Sequence, residues 1–424
     1  MAFLTYIAAI IFNKTFIVFY YSAYMMKRLF SNLLFKVFLA IVLGIVFGLY
    51  LPESVNRIFT TFNDFFGQFL NFAIPLIIMG LIMPAISDLG KSAGKLLLLT
   101  VAIAYGSTLF SGFSTYFAAS SIFPQLLATH VNDLVQIGGS SPELKPYFSI
   151  SIPPALDVMT SLFLAFIIGL GISYQEKSTL KLVVKDFQTI ITQLIENVIV
   201  PLLPLFILGI FASMSFSGKV FSILSVFISI IGVIFALHIL LLLIQFTIAA
   251  VITKKNPFKL LLTMTPAYFT ALGTQSSAAT IPVTLEQTLK NGVSERIAGF
   301  VIPLCATIHL SGSIMKITAC AMALMILRGM PFDFTLFTGF IFMLGIAMVA
   351  APGVPGGAIM AAVGILQSML GFNEEMIGLM IALYIAMDSF GTACNVTGDG
   401  AIALVVDKIT SASETRSPVS YSKE

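Results

Sequence analysis

Apolar residues run almost unbroken along this chain at about 33–51, 61–86, 94–123, 155–173, 187–215, 220–252, 296–328 and 374–407. A helix crossing the hydrocarbon of a bilayer needs roughly 20 such residues, so the pattern predicts eight transmembrane helices. Two segments depart from it. In 256–292 an apolar run from Phe258 to Gly273 stops at TQSSAATIP and never resumes as a full span. In 333–371 the run Phe334–Ala350 stops at APGVPGG, and only Ala358–Leu370 follows. At about 1.5 Å per residue that last piece reaches about 20 Å, too short to cross. Both segments read as re-entrant helical hairpins, with a Ser-rich or Gly/Pro-rich tip deep in the membrane.

Irregular backbone at that depth would leave N–H and C=O groups unbonded in lipid, so it must be buried in protein or line an aqueous site. Each hairpin is followed by a long apolar helix interrupted by polar residues, CATIHLSGSIMK at 305–316 and MDSFGTACNVTGDG at 387–400. Hairpin plus broken helix, twice, is the inverted-repeat pattern of a secondary transporter. The plainer alternative, that Gly and Pro merely kink ordinary spans, does not explain why both tips coincide with polar clusters. The expected fold is therefore an all-α membrane protein of eight transmembrane helices plus two re-entrant hairpins, built as inverted repeats.

Composition sharpens this. Of 424 residues 58% are hydrophobic and 10% charged, against about 45–50% and about 25% in soluble domains. That excludes a soluble enzyme, a disordered chain and a disulfide-built secreted domain. Cys305, Cys320 and Cys394 all lie in apolar segments, so a disulfide framework or a metal knuckle is not expected. The net charge of +3 comes from loop lysines, and nothing points to nucleic acid. Cytoplasmic loops carry excess Lys and Arg. With the segment before the first span inside, only Arg57, Lys145, Lys219 and Arg328 fall outside, Lys14 and Lys316 being unassigned. This predicts a multi-pass plasma-membrane protein with both termini cytoplasmic. Residues 1–26 read as an extension before a native start at Met25 or Met26, or as an interfacial helix, and 411–424 as a disordered tail.

Charge inside the spans marks the site. Asp388, Thr392, Asn395 and Asp399 share one helix face at 100° per residue. Carboxylates there must look into protein or water, where they hold a cation or an amine; a polar stripe pairing with neighbouring helices is the structural alternative. His309, Ser313 and Lys316 share another face. His309 reads either as a hydrogen-bonded core residue or as a proton carrier. Lys316 needs a partner, and Asp399 is the obvious candidate. His238 reads as structural, and Asp157 as a helix cap.

Three stretches, TQSSAATIPVTLE at 274–286, PGVPGGAIM at 352–360 and NVTGD at 395–399, together resemble the dicarboxylate/amino-acid:cation symporters, the glutamate-transporter family. LLPLFILGIFA at 202–212 and NFAIPLIIMGL at 71–81 fit it too, in order, from about residue 30 to 408. The resemblance implies a homotrimer with elevator-like alternating access. It assigns 27–93 and 151–216 to a scaffold (first, second, fourth and fifth helices) and 94–123 and 217–410 to a mobile transport domain, with 124–150 an external loop. It implies that Ser276 and Ser277 hold the substrate carboxylate, a role suited to a helix N-terminus. Asp388 would take the substrate amino group helped by Thr392, Asn395 would bind the carboxylate, and the Val354 carbonyl would close the gate. Asp399 would be a sodium ligand, joined by backbone carbonyls near Cys305 and Asn395.

The chain departs from that pattern at telling places. Acidic-substrate members carry an arginine three residues after the aspartate, here Gly391, or just before the tip serines, here Gln275. Burying a second substrate carboxylate without a guanidinium is costly, which favours a small neutral amino acid such as serine, threonine or alanine. The weaker option is an acidic amino acid or C4-dicarboxylate, with Lys316 or His309 as the cation. The family's Asn-Met-Asp-Gly-Thr is here His309-Leu310-Ser311-Gly312-Ser313, without the asparagine and aspartate of an internal sodium site. Hence His309, Ser311, Ser313 and Lys316 become coupling candidates: either the Lys316 charge replaces a sodium, or protons couple through His309 and Asp399. The coupling cation is expected to be sodium, no cofactor is implied, and the chain is no enzyme. A channel or an uncoupled exchanger is the alternative class.

Overall fold

A computed structural model describes residues 33–88, 95–138, 144–175, 178–218, 220–351 and 355–414. Residues 1–26, the Val354 carbonyl and the tail beyond 414 lie outside that set. The described chain is all helix and irregular connections. The elements are α1 (Leu33–Tyr50), α2 (Glu53–Asp88), α3 (Lys95–Gly138) and α4 (Val158–Ser173). Then come α5 (Thr179–Leu194), a π turn (Ile195–Ile199), α6 (Val200–Phe216) and α7 (Val220–Thr253). The second half comprises α8 (Pro257–Thr263), α9 (Thr265–Thr274), α10 (Ser277–Lys290), α11 (Glu295–Ile308) and α12 (Ser311–Leu327). It closes with α13 (Phe334–Ala350), α14 (Gly357–Leu370), α15 (Glu374–Ala386) and α16 (Asp388–Glu414). Among the described residues six helical stretches are long and apolar enough to cross a membrane, or seven if the bent pair α15–α16 is one span. The protein is an integral membrane protein.

Local chemistry explains the breaks. Asp157 accepts from the Thr160 amide at the start of α4, the expected capping role. Asn256, Asp333 and Asn373 cap α8, α13 and α15 in the same way, leaving fewer orphan amides at helix starts. Asn56 in α2 donates back to the Phe47 and Leu51 carbonyls at the end of α1. Pro201 and Pro204 lack amide donors, and the helix ladder just before them loosens into the π turn. α3 runs to Gly138, well past position 123 where the apolar run ends. Polarity stops a membrane span without stopping a helix.

Close backbone approach sets the other contacts. α1 lies against α6 through Gly44 and Gly48. A methyl on either would fall 2.5 Å from the Leu208 carbonyl oxygen or 2.3 Å from that of Ala212. Small residues four apart are the usual device for packing helices in lipid. The two short pairs, α9 with α10 and α13 with α14, each fold back on themselves. Together with the broken helices α11–α12 and α15–α16 they surround a polar centre.

Candidate functional site

The first tip turns at Gln275, whose φ of 54° is left-handed, a conformation a non-glycine residue rarely holds. Ser276 then caps α10, its Oγ accepting from the Ala279 amide at 3.3 Å. Thr274 and Thr280 hydroxyls meet across the turn at 3.0 Å. The second tip enters α14 through Gly356 at φ 76°. Its amide donates to Asp388 Oδ2 at 2.9 Å, so this tip is tied to the start of α16.

Between the tips lies a cavity of about 30 Å³, lined among others by Gln275, Ser277, Ser313, Tyr384, Asp388, Thr392 and Asn395. The structure therefore gathers Ser277, Asp388, Thr392 and Asn395 around one small polar space. Ser276 is a cap beside it, half-buried. Asn395 is anchored at both ends of its amide: its Oδ1 accepts from the Gly312 amide at 2.7 Å and its Nδ2 donates to Ser313 Oγ at 3.3 Å. Ser313 also accepts from the Tyr384 hydroxyl at 3.0 Å.

The expected pairing of Lys316 with Asp399 is not what forms. Lys316 Nζ lies 3.2 Å from Asp388 Oδ1 and 3.4 Å from the Met387 carbonyl, and sits 3.7 Å over the Tyr384 ring. Asp399 instead bonds to His309 Nδ1 at 2.8 Å. The two helices meet with Gly312 against Gly391, a register that puts residue 316 level with 388 and residue 309 level with 399. His309 Nε2 continues to Ser107 Oγ at 3.1 Å, which accepts from Gln245 Nε2 at 3.0 Å. Gln245 also reaches Ser311 Oγ at 3.4 Å. The Cys305 carbonyl accepts the His309 amide. His238, read as structural, is buried with Nε2 at 3.3 Å from the Gly312 carbonyl.

Sequence reasoning missed Tyr384, Gln245, Ser107 and the Gly356 amide. Gln245 was visible, a lone amide inside LLLLIQFTIAA. Tyr384 stands four residues before Asp388, but the helix breaks at Met387 with a 60° bend between α15 and α16, so face counting across it fails. Ser107 and a backbone amide carry no signal of their own.

Helices that stop midway, facing two folded-back helix pairs across a small charged cavity, define a secondary carrier. The chain belongs to the sodium:dicarboxylate symporter family, whose profile matches residues 33–409. It is 25% identical to the serine/threonine transporter SstT of Acinetobacter baylyi over 89% of this chain and 97% of that protein. It is 28% identical to the serine/threonine transporter SstT of Acinetobacter baumannii, over 89% and 96%. Excitatory amino acid transporter 3 of Mus musculus is 34% identical over 38% of this chain and 30% of its own length.

Proposed function

We propose that this symporter carries a small neutral amino acid, serine, threonine or alanine, together with a cation. The single observation behind the substrate class is Lys316 at Gly391. The lysine fills the volume a side chain at 391 would need, and its ammonium is held by Asp388, the Met387 carbonyl and the Tyr384 ring rather than lining the cavity. No free guanidinium or ammonium faces the cavity from 391 or 275 to read a second carboxylate. Relatives that cover nearly the whole chain are serine/threonine transporters, which supports the same class. In this reading the substrate carboxylate meets Ser277 and the start of α10, where helix-dipole charge favours an anion, with Ser276 shaping that turn. The amino group goes to Asp388 helped by Thr392, with Asn395 on the carboxylate and Val354 closing the gate.

The wider assignments follow the family: eight spans and two re-entrant hairpins, both termini cytoplasmic, a homotrimer, and an elevator movement of the transport domain. Sodium is the proposed coupling ion, with Asp399 and carbonyls near Cys305 and Asn395 as its ligands. The bond from His309 to Asp399 favours a second reading, in which that site couples protons instead. Uptake of labelled serine into proteoliposomes tests both. Sodium-driven uptake insensitive to excess aspartate is expected. Block by aspartate overturns the substrate class, and uptake driven by a pH gradient without sodium moves the coupling to protons.

A further inference from the structure

Both oxygens of Asp388 are bonded by groups of this chain: Oδ1 to the Lys316 ammonium at 3.2 Å, Oδ2 to the Gly356 amide at 2.9 Å. This inference rests on the reading that Asp388 receives the substrate's amino group. If so, the lysine stands on the oxygen the substrate must use. Lys316 is wholly buried, and breaking a buried ion pair by removing one partner leaves an uncompensated charge of high free energy. The lysine also has somewhere to go. The Met387 carbonyl at 3.4 Å and the face of Tyr384 at 3.7 Å already touch the same ammonium, and both attract cations.

We infer that Lys316 is a tethered stand-in for the substrate ammonium: it neutralises Asp388 in the empty carrier and yields Oδ1 when an amino acid arrives. With Asp388 neutralised, its other oxygen stays bonded to Gly356, so the second tip is held shut over an empty site. The unloaded protein can then reorient without carrying another cation back. When substrate binds, its own ammonium takes Oδ1 and the lysine shifts to Met387 and Tyr384. Lys316 is thus a positioning residue of the return step, with little part in the loaded step.

This separates two measurements on reconstituted protein. Exchange of internal unlabelled for external labelled serine uses only the loaded carrier, whereas net uptake needs the empty carrier to return. Wild-type exchange first checks the substrate reading itself; its absence overturns that reading, and exchange of another amino acid then serves for the rest. Lys316→Met is expected to lower net uptake by about a hundredfold relative to exchange, since the return step alone must move Asp388 as a lone buried carboxylate. In Lys316→Ala, which leaves room beside Asp388, methylammonium or potassium inside the vesicles should restore net uptake. Wild type needs no rescue: its net uptake should be equal with and without internal potassium. Equal loss of exchange and net uptake in folded Lys316→Met overturns the proposal, as does a wild-type requirement for internal potassium, which needs no variant at all.

Discussion

A side chain at position 391 would push aside the end of Lys316, because a Cβ on Gly391 would lie 2.4 Å from Lys316 Cε and 2.5 Å from Nζ. The glycine that removes the expected arginine is therefore also what admits the lysine, and the two positions act as one unit. Overpacking a filled site typically costs about 1–3 kcal/mol, so Gly391→Ala should lower the thermal midpoint in detergent and slow exchange. The cost should not add to that of Lys316→Ala, since removing the lysine opens the space. A double-mutant cycle checks this, residues in contact departing from additivity by about 0.5–3 kcal/mol. Strict additivity would disprove the shared volume. The residue scale is also where the sequence misleads. Asp388, Thr392, Asn395 and Asp399 were legible as one face, because a helix repeats regularly. The pairing of Lys316 was not, because the register between α12 and α16 is set by the contact of Gly312 with Gly391 and leaves no mark in either segment alone.

At the scale of elements, polar interruptions proved readable and helix ends did not. The breaks at His309 and Met387, and the turns at Gln275 and Gly356, fall where Ser, Gly, Pro or charge enters an apolar run. The extension of α3 to Gly138 was hidden because the residues after Phe123 are too polar for a span yet compatible with helix. The second tip makes a further prediction. Gly356 has left-handed backbone and donates its amide to Asp388, and a Cβ in that conformation costs roughly 1–2 kcal/mol. Gly356→Ala should therefore weaken tip closure, raising the half-saturating serine concentration about tenfold while the fold, judged by its thermal midpoint, stays close to wild type. An unchanged concentration dependence would show that the tip does not depend on this bond.

For the whole molecule the proposed elevator demands a surface along which one body slides past the other. In this reading the contacts of α14 and α15 with α2 and α6 lie along it. Gly364 faces Ile74, Gly378 faces Ile210, and Gly67 faces the Glu374 carboxylate. At each place one side carries no side chain and the end of the facing Ile or Glu fills that notch, so sliding has to draw each of these ends out of it. Sliding of packed helices is one of the established ways domains move. Gly378 sits so close to Ile210 that cysteines at the two positions fall within disulfide reach, which takes Cβ atoms about 3.5–4.5 Å apart. The natural cysteines Cys305, Cys320 and Cys394 are buried and can be replaced by serine or alanine as background. Oxidising the Gly378→Cys, Ile210→Cys pair should abolish both exchange and net uptake, and reduction should restore them, because the tether spans the sliding surface. A gate that opened by tip movement alone would keep working with this bond in place. Exchange that survives full oxidation would therefore rule out the elevator while leaving the site between the tips intact.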